Sequence, residues 1–234
     1  TIARPNYYDI VPFRAIEGGD EEIAVGNPAL KPTTSMNFDL MVERYYQNVG
    51  ILSGGLFYKQ LNDFIYIYNE EDYTDPVSGV TYDDFFQPRN GAEATLMGFE
   101  FALQRQLSFL PGYFKRVSLY TNYTYTWSVA DNPVLDEQLE GDEDIELPGT
   151  APHTLNTSLT YADTRTVAGL SFKYTSAYLD PDEMDLTPGL ERYYDKVTFL
   201  DFNASYVLTP RLRLFCEANN LLNKPLRYYS GDSK

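Results

Sequence analysis

The residues Arg116 to Ser128, RVSLYTNYTYTWS, sort by parity. Val117, Leu119, Thr121, Tyr123, Tyr125 and Trp127 form a set that is mostly apolar or aromatic. Ser118, Tyr120, Asn122, Thr124, Thr126 and Ser128 form a mostly polar one. A β-strand sends successive side chains to opposite faces, so this run predicts a strand with one apolar face. Its β-branched and aromatic residues suit a pleated surface, and no helical period sorts them.

The alternation recurs along the chain. In Ser35 to Tyr46, Met36, Phe38, Leu40 and Val42 oppose Ser35, Asn37, Asp39 and Glu43. Gly50 to Tyr68 is a long β-prone run, with Gly54-Gly55 as a place for close backbone contact. In Ala94 to Gln106, Phe99, Phe101 and Leu103 oppose Gly98, Glu100, Ala102 and Gln104. Further strands are expected over His153 to Tyr161, Val167 to Tyr178, Lys196 to Leu208 and Arg211 to Asn219. The total is about eight strands.

Residues 17–31, 69–90, 130–152 and 179–195 read as long loops, and the segment after Asn219 also reads as loop. Short turns fall at Gln47-Asn48, 162–166 and Thr209-Pro210, with a moderate one around Leu110-Pro111-Gly112. Long and short connections alternate. In an antiparallel succession, this gathers long loops at one end and short turns at the other, the layout of outer-membrane barrels. The expected fold class is therefore all-β: an antiparallel transmembrane β-barrel segment with its polar faces towards the interior.

Charge follows the same division. The chain carries 34 acidic and 18 basic residues, a formal charge of −16. Some 24 of the 34 acids fall in the four long loops. The short-turn end is neutral to basic, with Lys115, Arg116, Arg165, Arg211 and Arg213. An acidic chain argues against nucleic acid as a partner, since that binding needs basic patches. One Cys and one His, Cys216 and His153, leave no disulfide and no zinc set. No nucleophile motif lies near His153, so no enzymatic activity and no cofactor are expected. No apolar run approaches the ~20 residues of a membrane helix, but barrel strands need only ~9–11.

Six segments resemble the barrel of the TonB-dependent outer-membrane receptors. They are RPNYYDIVPF (4–13), GNPALKPTTSMNFDL (26–40), LFYKQLNDFI (56–65), NGAEATLMGFEFALQ (90–104), LPGTAPHTLNTSLTY (147–161) and ANNLLNKPLRYYSGD (218–232). The resemblance implies part of a 22-stranded, plugged barrel. It also implies a bacterial outer-membrane location and import of a scarce ligand driven by TonB. That ligand class covers iron–siderophore complexes, vitamins and oligosaccharides. The implied partners are the lipid bilayer and lipopolysaccharide, a plug domain, TonB, and a small-molecule or glycan ligand. Nothing here resembles the plug, the family's final strand is not matched, and the chain does not begin with Met. Residues 1–234 are therefore expected to be a partial barrel domain, a fragment of a longer protein. The alternative is a self-contained small barrel with an adhesin or structural role.

Candidate ligand contacts are the aromatic pairs of the long loops and their arginines: Phe85, Phe86 and Arg89; Tyr193 and Tyr194, with Arg192 close by; Arg227, Tyr228 and Tyr229. Such groups hold planar or sugar ligands by stacking and cation–π contact, and their competing use is as girdle anchors or loop packing. Asp142, Asp144, Asp180 and Asp182 are weak Ca²⁺ candidates without EF-hand spacing. Glu100 and Glu217 are expected on the inner face, near Lys173 or Arg213. A charge at Leu119 or Tyr123 is expected to hinder membrane insertion.

Overall fold

In the computed structural model, which describes residues 1–17, 22–46, 50–131, 145–181 and 191–231, the alternating segments become one antiparallel sheet. The chain opens with β1 (Ile2–Ala3), a short helix α1 (Tyr7–Ile10) and a hairpin of β2 (Arg14–Glu17) and β3 (Glu22–Val25). The long strands β4 (Thr33–Tyr46) and β5 (Gly50–Asn62) follow. A second hairpin, β6 (Ile65–Thr74) and β7 (Thr81–Asn90), comes next. Then come β8 (Glu93–Gln106), β9 (Val117–Ala130), β10 (His153–Ala162) and β11 (Thr166–Thr175). The last strands are β12 (Tyr178–Leu179), β13 (Arg192–Tyr194), β14 (Val197–Thr209), β15 (Leu212–Ala218) and β16 (Tyr228–Ser230).

The main sheet has nine strands in the order β1-β4-β5-β8-β9-β10-β11-β14-β15. Eight of them are the strands expected from alternation. Their registers align the parities, so the apolar faces join. One row reads Val42, Gly54, Phe101, Tyr123, Leu155 and Tyr174. A row nearer the short turns reads Leu119, Leu159, Leu170 and Phe202. The opposite face carries Glu43, Ser53, Ala102, Asn122, Asn156 and Lys173 in one row. There Asn156 donates to the Asn122 side chain at 3.0 Å, and Asn122 donates to Tyr120 Oη at 2.9 Å. Glu100 and Glu217 also project from this face by register.

Among the described residues, no second layer covers the apolar face. Leu40 is 64% exposed and Val42 69%. The buried apolar side chains lie at the long-loop end, in two small clusters: Phe64, Tyr66, Ala94 and Ala130, and Ile23, Tyr82 and Phe85. A soluble sandwich would bury the apolar face of its sheet. A barrel in a bilayer leaves it outward as a lipid-facing band. No helix among the described residues is long and apolar enough to cross a membrane.

The loop regions hold more structure than their composition suggests. Gly50 to Tyr68 divides at Asp63, whose φ of 54° turns the chain out of the main sheet. Residues 69–90 are not loop throughout, because β6 and β7 pair along most of their length. With β2 and β3 they form a four-stranded sheet in the order β2-β3-β7-β6. β7 pairs parallel with β3 over residues 84–86 only, and Pro88 lies beyond that stretch, where its missing N–H costs no ladder bond to β3. The turn after β8 contains a 3₁₀ helix over Gly112–Arg116. Tyr178 leaves the main sheet, and β12, β13 and β16 make a three-stranded sheet of their own.

Two motifs pin these additions. Asn27 donates to the Pro88 carbonyl at 3.0 Å, and its N–H bonds the Asp9 carbonyl at 2.6 Å. Asn90 bonds the backbone of Lys31 and Asp63. The GNPALKP segment thus clamps the base of the β6–β7 hairpin.

Candidate functional site

The two smaller sheets both sit at the long-loop end, because each is built from segments that leave the main sheet there. The sequence candidates divide between them.

Phe85, Phe86 and Arg89 lie on β7. Phe85 points inward: it is 4% exposed, stacks on Tyr73 at 4.2 Å between centroids and meets Tyr68 edge-on at 6.4 Å. Phe86 is half-buried. Arg89 lies 3.5 Å over the Tyr68 ring, and its Nε donates to Gln87 at 3.1 Å. The hairpin tip is locked to β2 by Arg14, which reaches the buried Asp75 carboxylate at 2.6 Å. Asp75 also accepts from the Ser78 hydroxyl at 2.6 Å and from the Ser78 N–H at 2.9 Å. The Arg14 bond, and then those from Ser78, hold the Asp75 carboxyl well below the usual carboxylate range.

Tyr193 and Tyr194 on β13 meet Tyr229 and Tyr228 on β16. Tyr193 and Tyr229 stack on one face at 5.3 Å with an interplanar angle of 8°. On the other face Tyr178, Tyr194 and Tyr228 form a ladder, with centroid separations of 5.1 and 4.4 Å. Arg192 lies 4.7 Å over Tyr228. It also reaches the fully buried Asp180, with Nε at 2.7 Å and Nη2 at 2.6 Å from the same oxygen. Arg227 is exposed beside β16, and its carbonyl accepts the Asp195 N–H at 2.9 Å. The fold therefore gathers Tyr193, Tyr194, Tyr228 and Tyr229 into one platform, with Arg227 at its margin. Phe85, Phe86 and Arg89 belong to the separate β6–β7 arm.

Tyr178 completes the platform but was not among the expected contacts, whereas Arg192 was expected beside the tyrosine pairs and does lie over Tyr228. Tyr178 continues the parity of the preceding strand, so alternation gave no sign of its departure. The Ser176-Ala177 step before it was the available signal.

Of the Ca²⁺ candidates, Asp180 is engaged with Arg192. Asp142, Asp144 and Asp182 lie outside the described residues. Among the described residues no group of three or more His, Cys, Asp or Glu side chains is placed to hold a metal ion. A groove of about 590 Å³, lined by Leu40, Val42, Leu56, Phe99, Phe101 and Tyr123, opens where Gly54 lacks a side chain. It lies on the outward apolar face, away from the platform.

A family model described as TonB dependent receptor-like, beta-barrel, matches residues 1–221. The chain belongs to the TonB-dependent receptor β-barrel family. It is thus an outer-membrane β-barrel chain of a bacterial receptor family, in agreement with the uncovered apolar face. Among solved structures it is similar to a mutant of the ferric enterobactin receptor PfeA from Pseudomonas aeruginosa. That match has 18% identity and a TM-score of 0.60, over 96% of this chain and 32% of that one. It is similar to the copper transporter OprC, with 16% identity and a TM-score of 0.63, over 95% of this chain and 30% of that one. It is also similar to the siderophore receptor PirA from Pseudomonas aeruginosa, with 19% identity and a TM-score of 0.61, over 98% and 36%. The chain spans about a third of the length of these structures. A search of curated proteins finds no match.

Proposed function

We propose that the chain is part of an outer-membrane active-transport receptor, residues 1–234 forming a partial barrel domain. The receptor binds a scarce ligand at its external loops and passes it through a plugged barrel with energy delivered by TonB. No covalent chemistry is assigned to it. The observation that carries the ligand-binding reading is the tyrosine platform, in which rings from three separate segments stack on both faces of one small sheet. Tyr193, Tyr194, Tyr228 and Tyr229 are its proposed contacts, with Arg227 beside them and Phe86 and Arg89 on the separate β6–β7 arm. Phe85 supports that arm from within.

The ligand class follows from charge. The long loops hold 24 of the 34 acids, and Arg192 is already committed to Asp180 and Tyr228. Stacking on tyrosine in an acidic setting favours an uncharged or cationic ligand with planar or sugar faces over a polyanion. The small-barrel alternative meets an obstacle in the topology. Among the described residues the order of the main sheet runs linearly from β1 and β4 to β15, and its two edges do not pair with each other.

Equilibrium binding to the intact receptor tests the reading, using a neutral oligosaccharide, a cationic iron chelate and ferric enterobactin as probes. Tyr194→Ala with Tyr228→Ala should weaken binding of the preferred probe about tenfold, because each aromatic contact contributes about 0.5–1.5 kcal/mol. Unchanged affinity for every probe would remove the platform from the binding site. Preference for ferric enterobactin would overturn the charge argument.

A further inference from the structure

The outward apolar band ends in arginine on two strands of the main sheet. On β4 the outward positions run Met36, Phe38, Leu40, Val42 and then Arg44. On β8 they run Met97, Phe99, Phe101, Leu103 and then Arg105. Both charges stand at the short-turn end. A cation on the lipid face is costly at the bilayer midplane and cheap near the headgroups, so these positions mark headgroup depth.

The two side chains share one aromatic setting. Register puts Tyr46, Gly50 and Arg105 in a single row. Gly50 leaves the space that the Arg105 stem and the Tyr46 ring close over: a Cβ there would stand 3.4 Å from each. The Arg105 guanidinium lies 4.7 Å from the Tyr46 centroid and 4.8 Å from that of Phe109. The Arg44 guanidinium lies 5.4 Å from Tyr46. Phe109, Tyr113 and Phe114 of the adjoining turn are exposed. Among the described residues, the ion pairs use Arg14, Lys31, Arg116 and Arg192, and neither Arg44 nor Arg105 has a carboxylate within ion-pair distance. Stacking on a ring occupies the face of a guanidinium and leaves its N–H edge for an oxyanion.

We infer that Arg44 and Arg105 dock the phosphate of an anionic phospholipid in the leaflet at the short-turn end. The guanidinium fork matches phosphate oxygens in pairs. From the row of Arg44, Leu52 and Leu103 the same face continues towards the midplane through Val42 and Phe101 and then Leu40, Leu56 and Phe99, where the acyl chains of that lipid would run. A free phosphate ion has no use for this apolar track. A zwitterionic lipid brings its own ammonium, which offsets the attraction of the two cations.

Native mass spectrometry of the intact receptor, purified from its outer membrane and stripped of lipid, tests the site. Phosphatidylglycerol should be retained about thirtyfold more than phosphatidylcholine, the size expected of two basic residues at an anionic headgroup. Arg44→Gln with Arg105→Gln should abolish that preference, while Lys173→Gln on the opposite face should keep it. Heat-modifiable migration on gels reports that each variant is assembled. Equal retention of the two lipids by the unmodified receptor would overturn the inference. So would undiminished preference in the assembled double variant. Displacement of the lipid by millimolar inorganic phosphate would assign the site to a free anion instead and overturn the lipid reading. If the double variant fails to assemble, the lipid ratio of the unmodified receptor and that of Arg44→Gln alone decide.

Discussion

The side chain of Asn90 bonds the backbone of Lys31 in both directions. Its amide donates to the Lys31 carbonyl at 3.0 Å, and its oxygen accepts the Lys31 N–H at 2.8 Å. A second amide hydrogen reaches the Asp63 carbonyl at 2.9 Å. Three chain segments therefore meet on one carboxamide, at the point where the β6–β7 hairpin leaves the membrane sheet. Asn90→Ala should cost about 2 kcal/mol, since each net hydrogen bond contributes roughly 0.5–1.5 kcal/mol and the site is partly exposed. Asn90→Asp should do no better, because it removes both donors. Limited proteolysis should then cut the hairpin while the main sheet stays protected. Unchanged protection of the hairpin in Asn90→Ala would show that the clamp lies elsewhere.

Gly98 carries a comparable constraint inside the sheet. A Cβ at that position would clash with the Tyr125 carbonyl oxygen and stand 2.6 Å from Cζ of Phe57. The ring can move, but the carbonyl belongs to the β8–β9 ladder and cannot. Gly98→Ala should destabilise assembly by at least the 1–3 kcal/mol typical of overpacking. The second substitution Phe57→Ala should leave most of that loss in place. Full recovery of the heat-modifiable band in the double variant would locate the clash in the Phe57 ring instead.

Acid should loosen the turn between β10 and β11. Asp163 accepts the Arg165 and Thr166 N–H groups at 2.8 and 2.7 Å on one oxygen, and the Tyr161 hydroxyl at 2.7 Å on the other. The Arg165 bond first, and then those of Tyr161 and Thr166, lower its pKa to about 2. A carboxylate whose folded pKa is depressed stabilises the fold above its unfolded pKa and loses that contribution as pH falls through the folded one. The unmodified chain should thus melt higher than Asp163→Asn above pH ~4, and the difference should vanish as pH falls towards ~2. A difference in melting temperature that does not change with pH would show that hydrogen-bond geometry alone, without the charge, sets the contribution of this turn.

The sequence revealed the eight long strands because a strand with one apolar face writes a period of two over ten or more residues. Arg116 to Ser128 is the clearest case, and its odd positions do share a face with Phe101 and Leu155. The β6–β7 hairpin was hidden because Pro76, Gly79, Pro88 and a run of acids are turn signals. Its pairing depends on partners that composition does not name. The strands β12, β13 and β16 hold two or three residues each, too few to show any period. The aromatic pairs were legible as chemistry, but their grouping was not. Tyr194 and Tyr228 meet through a register set by non-local pairing, whereas Phe85 turns into a core with Ile23 and Tyr82.

The same registers refine what a charge on the lipid face should do. Sequence alone treats Leu119 and Tyr123 alike, since both lie on the apolar parity of one strand. Leu119 shares its row with Arg105, at the level where the outward band already tolerates a cation. Phe101 and Tyr123 are paired with each other in a row that includes Val42 and Leu155, well inside the band. Phe101→Arg should therefore cost about 2–4 kcal/mol, the value for the bilayer midplane, and Leu119→Arg about 0–1 kcal/mol, the value near an interface. Reversible unfolding of the intact receptor in lipid vesicles measures both. An equal cost at the two positions would mean that Arg105 does not mark headgroup depth, and the docking of an anionic lipid at Arg44 and Arg105 would lose its geometric basis with it.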